Sequence, residues 1–488
     1  MRFRRFQTLA LACPILLAAA PAFAQQPARG TPAPTTPASS TAAQAAGGVR
    51  LAGNPLRIPT IGLTMHVPEG STSQTTSFST NTLTTVRPVE DIGVFTIQGR
   101  KSTDENLTPK QVGDGIIEKI LADYGEVGAA GQVSKSKARV LARNSSLLIG
   151  DFEADRFYIE LPPKRSIDPA PVHGYTIVVP GPGRVIVIEA MTDTNTFEQA
   201  RSIYETCVAT ANFADPGDLA TRRAASIRAG VRVFEQLTPE DYRAVFESFG
   251  IRWERLYTAE ETGADIDATE HGYRRLKAWV GRRGELNPDK DQSKWSKADQ
   301  QPGYLLQIDA LLLDDLLRVD TQAVYFMSMD REEEAWTVRM AIRQNGQTGH
   351  WIETGARQGH SMSVTTTHGS SAPTVVRPLV QGEGYLSMVE TYMLPPLLAH
   401  AGIPADFAFY TYQSRDGTIR MRSDSVEHAG TNTWKITSRI NEDAPPQTAY
   451  ITDAGEPLST ELADGRVWEP TSYEKLVRLW RDKSLPLD

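Results

Sequence analysis

Apolar and polar residues alternate with a period of two along much of the second half of the chain. The pattern is present over residues 335–342, 419–422 and 434–440. Such alternation is typical of antiparallel strands that have one buried face and one face in water. Helical spacing interrupts the strands near residues 385–400, where Pro395 and Pro396 are expected to break the helix, and again near residues 472–481. Residues 251–488 are therefore predicted to form one strand-rich domain.

The first half of the chain mixes strand and helix patterns. Residues 185–188 are apolar on both faces, as expected of a central strand. Thr108, with a proline next to it and Gln111 three positions later, has the composition of a helix N-terminus. A later helix places Cys207 on its apolar stripe, which predicts a buried and unreactive thiol. Residues 52–215 are predicted to form one α+β domain.

Residues 216–250 predict two helices, the second of which begins at Thr238. Basic and acidic residues are balanced there, so we interpret the segment as a helical connector. The predicted fold class is α+β with two mainly antiparallel domains. The first is an α/β sandwich, and the second is a curved antiparallel sheet, or half-barrel, packed on helices.

The predicted domain over residues 52–215 resembles the PsbP-like domains. It has an early strand end at Gly62, Pro68 and Gly70, then a helix in the middle, a run of antiparallel strands and a C-terminal helix. Ser71 stands where such domains usually place an aromatic residue. The resemblance implies a binding or assembly module without catalytic residues.

The strand-rich half resembles the LolA-like group of bacterial envelope carriers. Long antiparallel strands, an inserted helix pair and the closing run over residues 452–456 carry this resemblance. It implies a curved sheet that wraps a helix and encloses an apolar cavity for acyl chains.

The start of the chain has the three parts of a secretory signal peptide. Basic residues precede an apolar run, and a small-residue site ends at Ala24. Cleavage there would change the formal net charge from −8 to −11 and leave Cys207 as the single cysteine. A lipidated Cys13 is the weaker alternative. Residues 25–51, rich in Pro, Ala, Thr and Ser, predict a disordered leader.

We therefore expect an exported or periplasmic protein that is soluble after cleavage. No run of 18 apolar residues predicts a transmembrane segment. The acidic balance argues against nucleic acid as the main partner.

No motif in the sequence identifies a catalytic or metal-binding residue, or a cofactor. Gly359–Ser363 lacks the strand–turn–helix context of a hydrolase nucleophile. Residues 265–270 lack the glycine of a calcium loop, and the acidic run over residues 332–334 is typical of a solvated turn. His350, His360 and His368 do not have the spacing of a zinc site.

An aromatic and methionine stripe in the second half supplies the candidate ligand-binding residues. These are Tyr304, Ile308, Trp336, Met340, Met421 and Trp434. They could line a cavity for an apolar molecule, or they could simply form the core. At Met421 the alternation predicts that Arg420 and Arg422 face water.

The function that follows is a non-catalytic binding or interaction protein of the bacterial envelope, with an apolar ligand or an envelope protein as partner. Two alternatives remain open at this point. One is an envelope hydrolase whose acidic and histidine residues are dispersed along the sequence. The other is a scaffold protein with no small ligand.

Overall fold

The computed structural model describes most of the chain from Arg50 onward. The described residues are 50–78, 81–89, 91–127, 133–260, 263, 265–314, 317–344, 346–380, 383–414 and 417–486. The predicted signal peptide and nearly all of the predicted leader lie outside these residues. The described residues divide into two compact units, one ending at Arg222 and the other beginning at Arg223.

The first unit contains twelve strands and two complete helices. The strands are β1 (Leu56–Ile58), β2 (Leu63–Met65), β3 (Thr72–Phe78), β4 (Asn81–Arg87), β5 (Val94–Lys101), β6 (Gly125–Val127), β7 (Val133–Ser136), β8 (Arg139–Ile149), β9 (Phe152–Glu160), β10 (Pro171–Gly181), β11 (Arg184–Asp193) and β12 (Asn212–Phe213). The helices are α1 (Pro109–Asp123) and α2 (Phe197–Ala209). Helix α3 (Pro216–Gln236) begins in this unit and ends in the second.

The second unit consists mainly of strands. These are β13 (Ile251–Thr258), β14 (Thr269–Arg282), β15 (Pro302–Asp314), β16 (Leu317–Ser328), β17 (Glu333–Gln344), β18 (Gln347–Gln358), β19 (Ser361–His368), β20 (Thr374–Val376), β21 (Tyr385–Leu386), β22 (Ala405–Gln413), β23 (Thr418–Gly430), β24 (Thr433–Arg439), β25 (Gln447–Thr452), β26 (Pro457–Glu461) and β27 (Val467–Thr471). Its helices after α3 are α4 (Pro239–Phe249), α5 (Met388–Ala401) and α6 (Tyr473–Asp482).

A seven-stranded antiparallel sheet forms the centre of the first unit, in the order β3-β4-β5-β11-β10-β9-β8. The apolar run in β11 is covered on both faces, as its sequence predicted. Val185 and Val187 pack in the cluster that includes helix α1, and Ile186 and Ile188 pack in the cluster of helix α2. The predicted capping box that begins at Thr108 opens α1.

One fifteen-stranded sheet organises the second unit. Its order is β20-β19-β18-β17-β16-β15-β14-β13-β27-β26-β25-β24-β23-β22-β21. All neighbours are antiparallel except β21 and β22, which are parallel. The predicted fold class, α+β with large antiparallel sheets that curve without closing, is confirmed.

Chain connectivity requires this sheet to curl. Laid flat, fifteen strands would span roughly 65 Å. Yet the chain passes from one edge strand to the other between Val376 and Tyr385, a stretch that reaches at most about 30 Å. Side-chain contacts agree, because the rings of Trp336 in β17 and Tyr412 in β22 are 5.3 Å apart although their strands stand ten places apart in the sheet.

Helices α4 and α5 fill the inner side of the curled sheet. Ten of the fourteen residues of α5 are buried, and its apolar side chains share one core cluster with the inward-facing residues of the strands. Val245, Phe246 and Phe249 of α4 belong to the same cluster. The segment that we expected to act as a connector therefore contributes, in its second half, to the core of this unit. Its balanced charge gave no sign of that burial.

Helix α5 continues through Pro395 and Pro396, where the sequence predicted a break. A proline donates no N–H, so Pro395 deprives the Thr391 carbonyl of its usual helical donor. The Arg422 guanidinium replaces that donor, since its Nη1 lies 3.0 Å from the Thr391 oxygen. Arg422 also forms an ion pair of 2.6 Å with Asp424. Tertiary contacts thus compensate for the local defect.

The C-terminal helix α6 covers part of the opposite face of the sheet. Leu476, Leu479 and Trp480 pack with Leu311 in a separate cluster. The side chain of Ser472 caps the helix by accepting the Lys475 N–H. No helix among the described residues is long and apolar enough to cross a membrane.

We expect the Arg422 contact and the proline to be energetically coupled. A double-mutant cycle compares the loss of unfolding free energy caused by Arg422→Lys in the parent and in the Pro395→Ala background. The loss should be about 1 kcal/mol smaller with Pro395→Ala, because an alanine at that position can supply the missing N–H. Urea denaturation of the four proteins measures this coupling. Equal costs in both backgrounds would show that the guanidinium does not compensate for the proline.

Candidate functional site

The candidate ligand-binding residues lie in the core of the second unit. Tyr304, Ile308, Trp336, Met340 and Trp434 are all buried members of the main cluster. The Tyr304 ring packs 4.7 Å from the ring of Phe246 in α4, measured between centroids. These side chains therefore contact other side chains of the core, and none of them lines the interior cavity described below.

The sixth candidate, Met421, differs from the expectation. Asp424 of β23 pairs with Ser438 on the neighbouring strand, and Arg422 faces the same way. The inward side of β23 therefore carries Arg422. Met421 lies on the opposite face and is partly buried. Alternation alone favoured the methionine for the inward position. The ion pair with Asp424 and the bond to the Thr391 carbonyl reverse that preference, because they satisfy the buried guanidinium.

A buried carboxylate, Glu353, lies beside Trp336. It accepts hydrogen bonds from the Trp336 indole at 2.8 Å, the Ser414 hydroxyl at 2.9 Å and the Tyr412 hydroxyl at 3.1 Å. All three donors are uncharged, and burial raises the pKa of the Glu353 carboxyl above its usual value. This group ties the Tyr412 end of the sheet to β17 and β18.

Two further buried carboxylates, Glu334 and Glu390, lie where α5 meets the sheet. Glu390 accepts from Arg331 Nε at 2.6 Å and from the Tyr242 hydroxyl at 2.8 Å. Glu334, the last residue of the acidic run, accepts from Arg357 Nε at 3.0 Å. Each carboxylate is held by protein donors, which is the arrangement of structural ion pairs around α5.

The other candidate motifs do not converge. His350 and His360 are exposed, and His368 lies near Trp351 on another strand. Asp265 binds Arg255 and Lys475, so the protein's own cations occupy its carboxylate. Within the described residues, no group of three His, Cys, Asp or Glu side chains is placed to hold a metal ion.

An interior cavity of about 110 Å³, partly open to solvent, lies between α5 and the inner face of the sheet. Its polar lining includes three arginines from three different strands or strand ends: Arg274, Arg422 and Arg466. Its remaining lining residues are Leu256, Thr391, Tyr392, Pro395, Ile436, Ser438, Gln447, Ala449, Thr460, Leu462 and Trp468. None of these residues is acidic, so the cavity wall consists of hydrogen-bond donors, hydroxyl groups and apolar surface.

Carboxylates that lie outside the lining hold the three guanidinium groups in place. Arg274 pairs with Glu254, and its guanidinium carbon lies 4.3 Å from the centre of the Trp468 ring. Arg466 pairs with Asp464 through Nη2 at 2.6 Å. The Arg422 pair was described above. Fixed side chains of this kind lose little conformational freedom when a ligand binds, which favours binding.

Little in the sequence pattern indicates this cavity. Arg274 and Leu276 lie on the same inward face of β14. In the sequence, Arg274 therefore stands out only as a polar residue at a position where the alternation predicts an apolar one. Arg466 lies in a turn, four residues after an apolar Leu462. A charged residue at an inward-facing position of a strand is the one feature of the sequence that indicates a polar site. By itself it does not show which residues lie opposite.

Comparison with known proteins gives no family. No family model matches the chain, and no curated protein matches it. A beta-barrel-like protein of the domain of unknown function DUF1849 from Brucella abortus is 9% identical, with a TM-score of 0.30, over 46% of this chain and 97% of that one. A structure from Bacteroides thetaiotaomicron is 11% identical, with a TM-score of 0.23, over 39% of this chain and 61% of that one.

Similarities at these TM-scores support no conclusion about function. Neither structure is described as PsbP-like or LolA-like. Those two resemblances remain predictions from the sequence.

We expect the stability of the Glu353→Gln variant, relative to the parent protein, to increase as the pH rises. The pKa of Glu353 is raised in the folded state, so the folded protein favours the neutral carboxyl group. This preference stabilises the fold fully below about pH 4.5, and the stabilisation is lost as the pH rises through the folded-state pKa. The stability difference between variant and parent should therefore grow with pH, by at most about 1.4 kcal/mol per pH unit. Urea denaturation between pH 4 and pH 9 measures it.

The matched control is Glu427→Gln, because Glu427 pairs with Lys435 at an exposed position. Its stability difference should stay nearly constant over the same pH range. A flat difference for Glu353→Gln as well would contradict the assigned direction of the Glu353 pKa.

The thiol of Cys207 should be unreactive in the folded protein. Its side chain is fully buried in α2, and burial raises its pKa to about 12. An aromatic disulfide reagent should therefore label it only after denaturation. Rapid labelling of the folded protein at pH 8 would contradict this burial.

Proposed function

We propose that this chain is an exported, non-catalytic binding protein that holds a small organic acid in the interior cavity of its second unit. The observation that carries the proposal is that three guanidinium groups and no acidic side chain line one interior cavity. Arginine N–H groups donate strong hydrogen bonds to a carboxylate. At Arg422 and Arg466 the Nε–Nη2 edge already holds Asp424 and Asp464, so the ligand would meet the remaining N–H groups. The signal-peptide pattern supports export.

The size and lining of the cavity define the class of ligand. Sites for drug-sized molecules have volumes of about 300–1,000 Å³. A cavity of about 110 Å³ suits a molecule with only a few non-hydrogen atoms. Leu256, Ile436 and Trp468 provide apolar surface, so we expect a carboxylate that carries a short apolar group. A long acyl chain, the ligand that the LolA-like resemblance implies, exceeds this space.

The carboxylate partners of the three arginines determine how tightly we expect the ligand to bind. Each guanidinium already has a carboxylate partner, in Glu254, Asp424 or Asp464. The ligand therefore enters a region with many donors but little net charge. We expect moderate affinity and a weak dependence on salt, in contrast to a site formed by unpaired cations.

Calorimetric titration of the full mature chain tests the proposal. Butyrate is the probe, and butyramide, which has nearly the same shape without the charge, is the control ligand. Butyrate should bind, and butyramide should bind at least tenfold more weakly. Arg466→Gln should weaken butyrate binding roughly tenfold or more, because a hydrogen bond to a charged group contributes about 1.5–3 kcal/mol.

The matched control variant is Arg439→Gln. Arg439 follows the lining residue Ser438 but is exposed, and it donates to the Ala444 carbonyl. This variant should bind butyrate as the parent does. Equal binding of butyrate and butyramide, or no effect of Arg466→Gln, would overturn the proposal.

A further inference from the structure

We infer that the second unit has a separate binding groove for an acidic oligosaccharide on the opposite face of the sheet. This inference does not depend on the interior cavity or on its proposed ligand. It rests on the segment after β14, on two tryptophans and on two basic side chains of the outer face.

The segment between β14 and β15 folds back over the outer face of the sheet and forms one wall of the groove. Two 3₁₀ turns, Arg283–Leu286 and Gln292–Lys294, shape it. Contacts with the sheet hold it in place: Arg283 pairs with Glu333 of β17 at 3.2 Å, and Glu285 accepts the Trp279 indole N–H. The wall is therefore fixed before any ligand arrives.

The groove comprises two adjoining spaces that share three lining residues. The first space, of about 290 Å³, lies between the segment and strands β14–β17. The second, of about 610 Å³ and more open to solvent, continues past the start of β15. Glu285, Gln292 and Trp295 line both spaces. An extended open groove suits a chain of several linked units better than a compact molecule.

Two tryptophans supply flat surfaces in this groove. The Trp279 indole N–H donates to Glu285 at 2.8 Å, and the Trp295 indole N–H donates to the Lys290 carbonyl at 3.3 Å. Because both N–H groups are bonded within the protein, a ligand would meet the aromatic surfaces of the rings. The Lys277 ammonium lies over the Trp279 ring, 4.6 Å from its centre, so a sugar would stack on the ring face that Lys277 leaves. The C–H face of a sugar ring carries partial positive charge and packs against the negative face of such a ring system.

The polar lining supplies partners for hydroxyl groups. The side chains of Asn287, Gln292, Gln307 and Gln322 line the first space. Each side-chain amide has both donors and acceptors, as a sugar hydroxyl does, so amides can bond hydroxyls in either direction. A ligand with many hydroxyl groups therefore fits this surface.

Charge at the groove favours an acidic chain. Lys277 and Arg339 line it from β14 and β17. Lys290, which pairs with Asp299, and one carboxylate, Glu285, which accepts the Trp279 indole N–H, also belong to the lining. Within the described residues no carboxylate forms an ion pair with Lys277 or Arg339, whereas the nearby Arg275 pairs with Asp309 at 2.5 Å. Two basic groups that lack an acidic partner can each meet a carboxylate of the ligand.

Binding of a defined oligogalacturonide to the full mature chain tests this inference, with a cello-oligosaccharide of equal length as the neutral control. The acidic oligomer should bind at least tenfold more tightly, and its affinity should fall as salt is added. Lys277→Gln combined with Arg339→Gln should reduce acidic binding at least tenfold. Arg343→Gln should leave it unchanged, since Arg343 lies on the same face of β17 outside the groove and pairs with Asp320.

Stacking is tested at Trp279. Trp279→Leu should weaken oligogalacturonide binding at least fivefold, and Trp279→Phe should restore most of the affinity because it keeps an aromatic ring. An acidic peptide such as oligoglutamate provides the competing class of ligand. If oligoglutamate binds as tightly as the oligosaccharide, or if Trp279→Leu has no effect, the groove is only a basic surface and the inference fails.

Butyrate binding separates this site from the proposed function. The Trp279 and Arg339 variants should bind butyrate as the parent does, because neither residue lines the interior cavity. Loss of both ligands in a variant with an unchanged unfolding midpoint would contradict the existence of two separate sites.

Discussion

The inner face of a fifteen-stranded sheet must be covered, and the burial of helix α5 meets that constraint. The helix is apolar on all sides, and most of its residues are removed from water. Two prolines inside it weaken its own hydrogen bonding, so it depends on the sheet as much as the sheet depends on it. Arg422, which reaches the Thr391 carbonyl from β23, is the interaction that joins the two.

Around α5 the protein buries many charged groups, and nearly every one has a defined partner. Glu390 and Arg331 pair at the start of the helix, and Glu334 and Arg357 pair beside it. Such pairs add little net stability over apolar packing, but removing one partner is costly. The network therefore fixes where the helix lies in the sheet. In the same way, the three guanidinium groups around the cavity each pair with a carboxylate that lies outside the cavity lining.

Much of this fold follows from local patterns in the sequence. Alternation over residues 335–342 and the capping boxes at Thr108 and Thr238 predict elements that the structure contains. The pattern fails at Arg422. The inward face of its strand packs against the Thr391 carbonyl, which lacks a helical donor, so a guanidinium is favoured there over Met421. It fails again at Pro395, whose missing donor is replaced from a residue 27 positions away. The cavity could not be predicted, because its arginines meet only through the curl of the sheet.

The filled interior also limits the functions that this state of the protein can perform. To admit an acyl chain, α5 would have to leave the sheet. That movement would expose its apolar surface and break the Thr391–Arg422 and Arg331–Glu390 contacts, which leaves charged groups without partners in a weakly polar interior. A small acid in the existing cavity requires none of these changes. A groove on the outer face requires none either, since the Arg283–Glu333 and Trp279–Glu285 contacts already hold its wall against the sheet. The packing of one helix is thus compatible with the two proposed sites, one in a small space beside the helix and one on the outside of the sheet.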